Sequence, residues 1–496
     1  MKKKKISFPS ALTVLFIVLI FAAILTAVVP AGLYSKLTYN ADHDVFEITT
    51  PEGEVTEMAP TQKSLDELGV TGNLNKFLDG SISKPIAVPG TYERVDQEPQ
   101  GVFKILLAAI SGVYDTIDLF TREIKKVLEQ MGCECLVLDA GHMEESLKEF
   151  ALFAMTPVFA AITFNNLGYN LELSEGKNIW EQFEIPYVNI LMDHPFHYTG
   201  PLAHMPKTAW VFCTDKNHVD FMHRFYPEIE RVGFLPHAGV KLPGAKKRIM
   251  DRKIEVLYAG SLPFFTAGML VPDLSAITQF DAIDMSRQVL EDLIKNPAVT
   301  TEDAIEAYLK ERGIELEEQD LFAGIVKMRF LDSYATSFFR EQAVKLLVES
   351  GVSVTAYGTG WNECEWSHNP HLHYGGKVLA PEILPLMCEA KIVLNTMTWY
   401  KAGAHDRIFN GMLAGACVVT DDSAYLREEF EAEKAMVRFK LEEIVRLPEI
   451  VWDLLDHPEK MQQIADVGYE SASEKHTWES HMKQVLSMLE GTDCGF

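Results

Sequence analysis

The sequence predicts an α/β protein of two Rossmann-like lobes around a central cleft, with an N-terminal transmembrane helix ahead of them. Three observations predict it. Strand-like and helix-like apolar patterns alternate from about residue 102 onward, the signature of parallel sheets. The alternation restarts after Asp251, which makes two sheets rather than one. Ala11 to Val29 runs 19 residues without a charge, just long enough to cross a bilayer as a helix.

The bulk numbers are those of a globular chain. Of 496 residues, 47% are hydrophobic and 23% charged, which excludes wholesale disorder. The net charge of -26 argues against a nucleic-acid partner, because phosphate contacts need clustered Lys and Arg. Seven widely spaced cysteines form no CxxC pair. They read as reduced thiols rather than a disulfide framework.

Lys2 to Lys5 precede the uncharged run, and Pro30 and Gly32 end it. An uncleaved helix fits better than a signal peptide, whose apolar region is shorter. The lysines hold the N-terminus in the cytoplasm. Residues 1–36 are therefore the basic start and membrane helix. Residues 37–101, polar and rich in Pro, Gly and Thr, read as an extramembrane loop region with short strands. The stretches FPSALTVLFIVLIFAAILTAVVPAGLYS and VPGTYERVDQEPQGVFKILLAAISGVYDTIDL resemble the opening of YfcC-type membrane transporters, over about the first 118 residues. That resemblance implies a first helix and an external loop. No later stretch reaches 18 apolar residues without a charge, so the chain itself is not read as a transporter.

The N-terminal lobe is expected over 102–245. Phe103 to Ile110 is strand-like. A helix follows with Phe120, Ile124, Val127, Leu128 and Met131 in one stripe, and Gly132 is placed to cap it. Strands are expected at Cys135–Leu138, Val158–Phe164, Tyr187–Met192 and Ala209–Cys213, with a helix near Asn178–Phe183. The C-terminal lobe is expected over 246–490. It opens with the strand Ile254–Ala259 and Gly260, then carries a helical insert over 270–330. Thr300 or Thr301 caps an insert helix, with Glu302 and Asp303 in its first turn. Strands follow at Val352–Tyr357, Ile392–Asn395 and Cys417–Thr420. In such sheets ligands sit beyond the carboxyl ends of the strands, here in the cleft between lobes.

No G-x-x-x-x-G-K-[ST] loop and no G-x-S-x-G elbow occurs. His194 and His197 follow a predicted strand. They read either as packed strand-end histidines or as cleft residues, and a zinc site there lacks a third ligand. The segment AKIVLNTMTWYKAGAHDRIFNGMLAGACVVTDD, with VTAYGTGW and LHYGGKV, resembles the C-terminal domain of CgeB-like spore-maturation glycosyltransferases of the GT-B group. ITFNNLGYN, IPYVNILMDHPFHY and VGFLPHAGV extend the resemblance through the first lobe. It implies transfer of a sugar from a nucleotide-diphospho-sugar, a co-substrate, with no other cofactor and no metal.

The residues suit that chemistry. A diphosphate favours a helix N-terminus plus a cation; His405 and Arg407 begin a short helix, and Arg offers a bidentate fork. Gly375 and Gly376 allow close approach of a base to the backbone. In the wider group an acidic residue binds the ribose hydroxyls, and the matching position here is the neutral Asn410. Donor contacts are thus expected from Gly260, Tyr374, Gly376, Asn395, His405, Arg407 and Asn410. The acceptor is expected beside Asn165 and Asn166. Asp193, His194 and His197 are the candidates for a base that takes the acceptor proton. The rival reading is a non-catalytic nucleotide- or sugar-binding module, and Asn410 is its main support.

The two halves imply opposite compartments. The helix and its lysines place residues 37–496 outside the cytoplasm, whereas nucleotide sugars and reduced cysteines belong inside it. A fusion with its seam between about 103 and 120 resolves this, giving a membrane-associated chain whose transferase part is expected in the cytoplasm.

Overall fold

The structure is a computed structural model. It describes residues 32–33, 35–50, 54–70, 73–82, 86–88, 93–94, 102–110, 115–172, 177–244, 246–263, 272–275, 277–397, 399–431 and 433–491. The expected membrane helix at Ala11–Val29 lies outside them. Among the described residues no helix is long and apolar enough to cross a membrane.

The chain divides into two compact units. The first takes in residues up to Phe103 together with Leu147–Val158. Its strands are β1 (Gly32–Leu33), β2 (Lys36–Asn40), β3 (Val45–Thr49), β4 (Val55–Met58), β5 (Ile86–Ala87) and β6 (Glu93–Arg94). β1 pairs with β6, and the others form an antiparallel sheet in the order β4-β3-β2-β5. Leu37, Phe46, Leu65, Val70, Phe77 and Val88 are buried beneath it. A region expected as a loop with short strands therefore has a core of its own.

The second unit holds two six-stranded parallel sheets. In the N-terminal lobe these are β7 (Lys104–Ala109), β8 (Glu134–Asp139), β9 (Ala160–Phe164), β10 (Tyr187–Leu191), β11 (Ala209–Cys213) and β12 (Val232–Phe234), in the order β12-β11-β10-β9-β7-β8. In the C-terminal lobe they are β13 (Ile254–Ala259), β14 (Val354–Tyr357), β15 (Leu372–Gly376), β16 (Ala390–Asn395), β17 (Cys417–Asp421) and β18 (Val437–Phe439), in the order β15-β14-β13-β16-β17-β18. The central strands β9, β10 and β17 are buried along their whole length, as parallel strands covered on both faces must be. Strand order reverses between β7 and β9 and between β13 and β16. Those switch points are where open α/β sheets form ligand crevices.

Two segments expected in the C-terminal lobe pack elsewhere. The insert helices Ala282–Lys295, Thr301–Glu311 and Glu318–Met328 share a core with Leu191, Phe196, Phe221 and Tyr226, so the insert covers the N-terminal lobe. Arg224, which donates to Glu306 and Glu318, ties it down from outside. The last helix, Trp478–Leu489, also returns to the first lobe: Trp478 packs 5.0 Å from Phe120 and 5.6 Å from Phe164, centroid to centroid. Burial of such side chains contributes roughly 1.5–3 kcal/mol each.

Candidate active site

The carboxyl ends of both sheets converge on a cavity of about 550 Å³. Its C-terminal floor is built around glycines. Gly358, at φ +123°, follows β14, and a Cβ there would lie 2.6 Å from the carbonyl of Gly260. The chain ends after β13 and β14 can therefore touch only because this residue is glycine. A Cβ on Gly260 would meet Arg407 Nη2 at 3.0 Å and Tyr258 Cε1 at 3.3 Å. Gly260 thus leaves the space that the guanidinium occupies.

Arg407 lies in the first turn of the helix Asp406–Leu413, which His405 caps. Its side chain is 6% exposed. Nη1 donates to Asn395 Oδ1 at 2.5 Å, and the guanidinium lies 5.3 Å from the Tyr258 ring centroid. Among the described residues no carboxylate comes within 4.0 Å of it. Arg340 stands nearby, half-buried. It donates to the Ser261 carbonyl and lies 5.5 Å from the Trp399 ring centroid; among the described residues its buried Nε has no partner and no carboxylate comes within 4.0 Å. Ser261, Trp399 and Lys377 line the cavity. Buried charges without partners are costly, so this wall is prepared for an anion.

Beside Arg407, His405 Nδ1 lies 2.8 Å from Asp406 Oδ1 and 3.1 Å from the Arg407 backbone nitrogen. One ring nitrogen cannot donate and accept in a single tautomer. The Arg407 amide donates to Nδ1 and so caps the helix, which leaves the ring proton on Nε2. Burial raises the Asp406 carboxyl, but His405 outweighs it and the group ends well below the usual carboxylate range. Burial also holds His405 below its ordinary value, against Asp406.

Asn410, a turn further, is 3% exposed. Its Oδ1 accepts from the Val240 amide at 2.8 Å and its Nδ2 donates to Asp406 Oδ2 at 2.9 Å. An apolar wall completes this side: Val378, Leu379, Ile383, Leu384 and Met387, in and just before the helix Ala380–Met387.

The N-terminal rim sets Asn165 and Asp193 beside the apolar Ile117, Leu119 and Met192. Asn165 and Asn166 follow β9 with φ of 46° and 66°, a left-handed pair that Asn tolerates better than most residues. Asn165 lines the cavity; its Oδ1 accepts from the Met192 amide at 2.8 Å, and its Nδ2 lies 3.4 Å from Asp193 Oδ2. Asp193 also lines it and accepts from the Tyr198 hydroxyl at 2.7 Å. The lobes are pinned together at Tyr400, whose hydroxyl donates to the Met192 carbonyl and lies 2.9 Å from His237 Nε2. The hydroxyl has one proton, so His237 carries its own on Nε2.

Of the residues singled out in the sequence, Asn165, Asp193, Gly260, His405, Arg407 and Asn410 line the cavity. Asn395 sits behind it and holds Arg407. Asn166 is turned inward, exchanging hydrogen bonds with Asn189 at 2.8 and 2.9 Å. Tyr374 is 41% exposed and Gly376 is not in the wall, because β15 is the edge strand; their neighbour Lys377 reaches the cavity instead. His194 and His197 do not line it. His194 Nδ1 accepts from the Phe196 amide at 3.2 Å, which turns Nε2 away to Glu302 Oε1 at 2.7 Å. That partner is 108 residues away, in the insert. Arg340, His237, Tyr400 and Asp406 were not singled out. Asp406 was discoverable from its i,i+4 spacing to Asn410. Arg340 had only the weak signal of a cation following Phe338 and Phe339.

Comparison with known proteins bears on part of the chain. Residues 336–487 match the family model described as "Glycosyl transferase-like", so the C-terminal lobe carries a glycosyl transferase-like domain. An uncharacterized protein of Haemophilus influenzae is 42% identical over 118 residues, which is 24% of this chain and 23% of that protein. The match thus spans about a quarter of that relative's length. Among solved structures, sucrose-phosphate synthase from Thermosynechococcus elongatus is 10% identical with a TM-score of 0.42, covering 79% of this chain and 100% of that one. HepE of Anabaena in complex with UDP-glucose is 13% identical with a TM-score of 0.40, covering 78% and 99%. An alpha-glucosyltransferase in complex with UDP and a 13-mer DNA is 11% identical with a TM-score of 0.44, covering 79% and 100%.

Proposed function

We propose that the chain transfers a sugar from a nucleotide-diphospho-sugar to an acceptor hydroxyl. The observation that carries this is Arg407: a buried guanidinium, without a carboxylate partner among the described residues, lining a cavity of about 550 Å³ at the carboxyl ends of two parallel sheets. A diphosphate satisfies that charge through the planar fork, and Arg340 and Lys377 supply further charge beside it. The apolar wall from Val378 to Met387 suits the face of a base. The acceptor enters past Asn165, and Asp193 is the base candidate that lines the cavity. Within this proposal the domain belongs to the CgeB-like branch, and the first hundred or so residues are a transporter-derived fusion partner.

A thermal-shift screen of the protein against nucleotide sugars tests the reading. A bound donor raises stability by mass action, and the best one is then assayed for slow hydrolysis. Binding with hydrolysis supports a transferase. Binding without any turnover supports the rival, a binding module, which the neutral Asn410 favours. No stabilisation by any nucleotide sugar overturns both.

A further inference from the structure

We propose that Asp406 supplies the carboxylate that receives the ribose hydroxyls of the donor, in place of position 410. The inference rests on the donor-site reading above. Asp406 and Asn410 are four apart on the helix Asp406–Leu413 and both line the cavity, so they share a face. Asn410 is neutral, and each of its amide atoms already holds one hydrogen bond. Its oxygen already accepts from the Val240 amide and its nitrogen already donates to Asp406.

Asp406 is different. An ionised carboxylate has about four acceptor sites. One oxygen lies 2.8 Å from His405 Nδ1 and the other accepts from Asn410 at 2.9 Å. Each oxygen keeps a further lone pair, which suits two adjacent hydroxyl donors. The helix N-terminus favours negative charge at this position, and the Asn410 amide holds the carboxylate in one orientation. Placement assigns the hydroxyls to the ribose. The helix Ala380–Met387, which ends the apolar wall, packs beside the helix Asp406–Leu413. With the base on that wall and the diphosphate at Arg407, the sugar between them falls beside Asp406.

Titration calorimetry of the full chain tests this with UDP, GDP, ADP and CDP, followed by the 2′,3′-dideoxy form of the best binder. The wild type is expected to bind the ribonucleotide at least about tenfold more tightly, about 1.4 kcal/mol. In Asp406→Asn the two forms are expected to bind about equally. Should that variant not fold, Asp406→Glu carries the same comparison, because its extra methylene displaces the carboxylate. A wild type without preference overturns the inference, and so does a preference that survives the substitution. A wild type that binds none of the four overturns the donor-site reading and the inference with it.

Discussion

Asn395 Oδ1 accepts from Arg407 Nη1 at 2.5 Å, and both side chains are buried. Asn395 ends β16, at the switch point of the C-terminal sheet, and it aims the guanidinium without neutralising it. Asn395→Ala should therefore leave the charge and remove its orientation. Donor affinity should fall by about 0.5–1.5 kcal/mol, the range for one hydrogen bond. Unchanged affinity in a titration would show that Asn395 does not position Arg407.

The lobes meet where the backbone admits no side chain. A Cβ on Gly403 would lie 2.3 Å from the Thr214 carbonyl oxygen. Gly403→Ala should cost about 1–3 kcal/mol by overpacking, read by urea denaturation. Gly200→Ala, with nothing within 4 Å, serves as the neutral comparison.

His194 is a structural residue in this account. Removing it leaves the largely buried Glu302 without its 2.7 Å partner. His194→Ala should lower stability by about 1–3 kcal/mol and leave donor affinity intact. Lost donor affinity in a fully folded variant would return His194 to the cleft.

Acid should unfold the protein early. Burial pushes His218 down to about 3, His237 to about 4 and His481 to about 3, while the unfolded chain takes up protons near 6.5. A lowered folded pKa means the stability is present above pH 6.5 and is lost as pH falls towards 4 and 3. Burial pushes Asp332 up to about 6 and Asp421 to about 7, and these gain stability as pH falls through the same range. The histidines are more numerous and their summed displacement is larger, so they prevail. The urea midpoint should drop between pH 6.5 and 4; a flat or rising midpoint would contradict this.

Much of the fold was legible. Ala209–Cys213 and Ile254–Ala259 were read to the residue, because buried parallel strands are short apolar runs bounded by turns. Val232–Phe234 and Val437–Phe439 were not, since three-residue edge strands carry no period. The partner of the insert and of the Trp478 helix was also hidden. An amphipathic pattern reports that a face is buried, not what buries it. At the site, local signals found Arg407 and His405. Pairings made across the chain, His194 with Glu302 and Tyr400 with Met192, left no mark in either segment.

The most direct measurement is a calorimetric titration of the best nucleotide sugar into the wild type, Arg407→Lys and Arg407→Ala. Lys keeps a charge but loses the bidentate fork. One saturable site is expected in the wild type, with affinity weakened in both variants and by about 1.5–3 kcal/mol in Arg407→Ala. Equal affinity in all three proteins would contradict the assignment of this cavity to the donor.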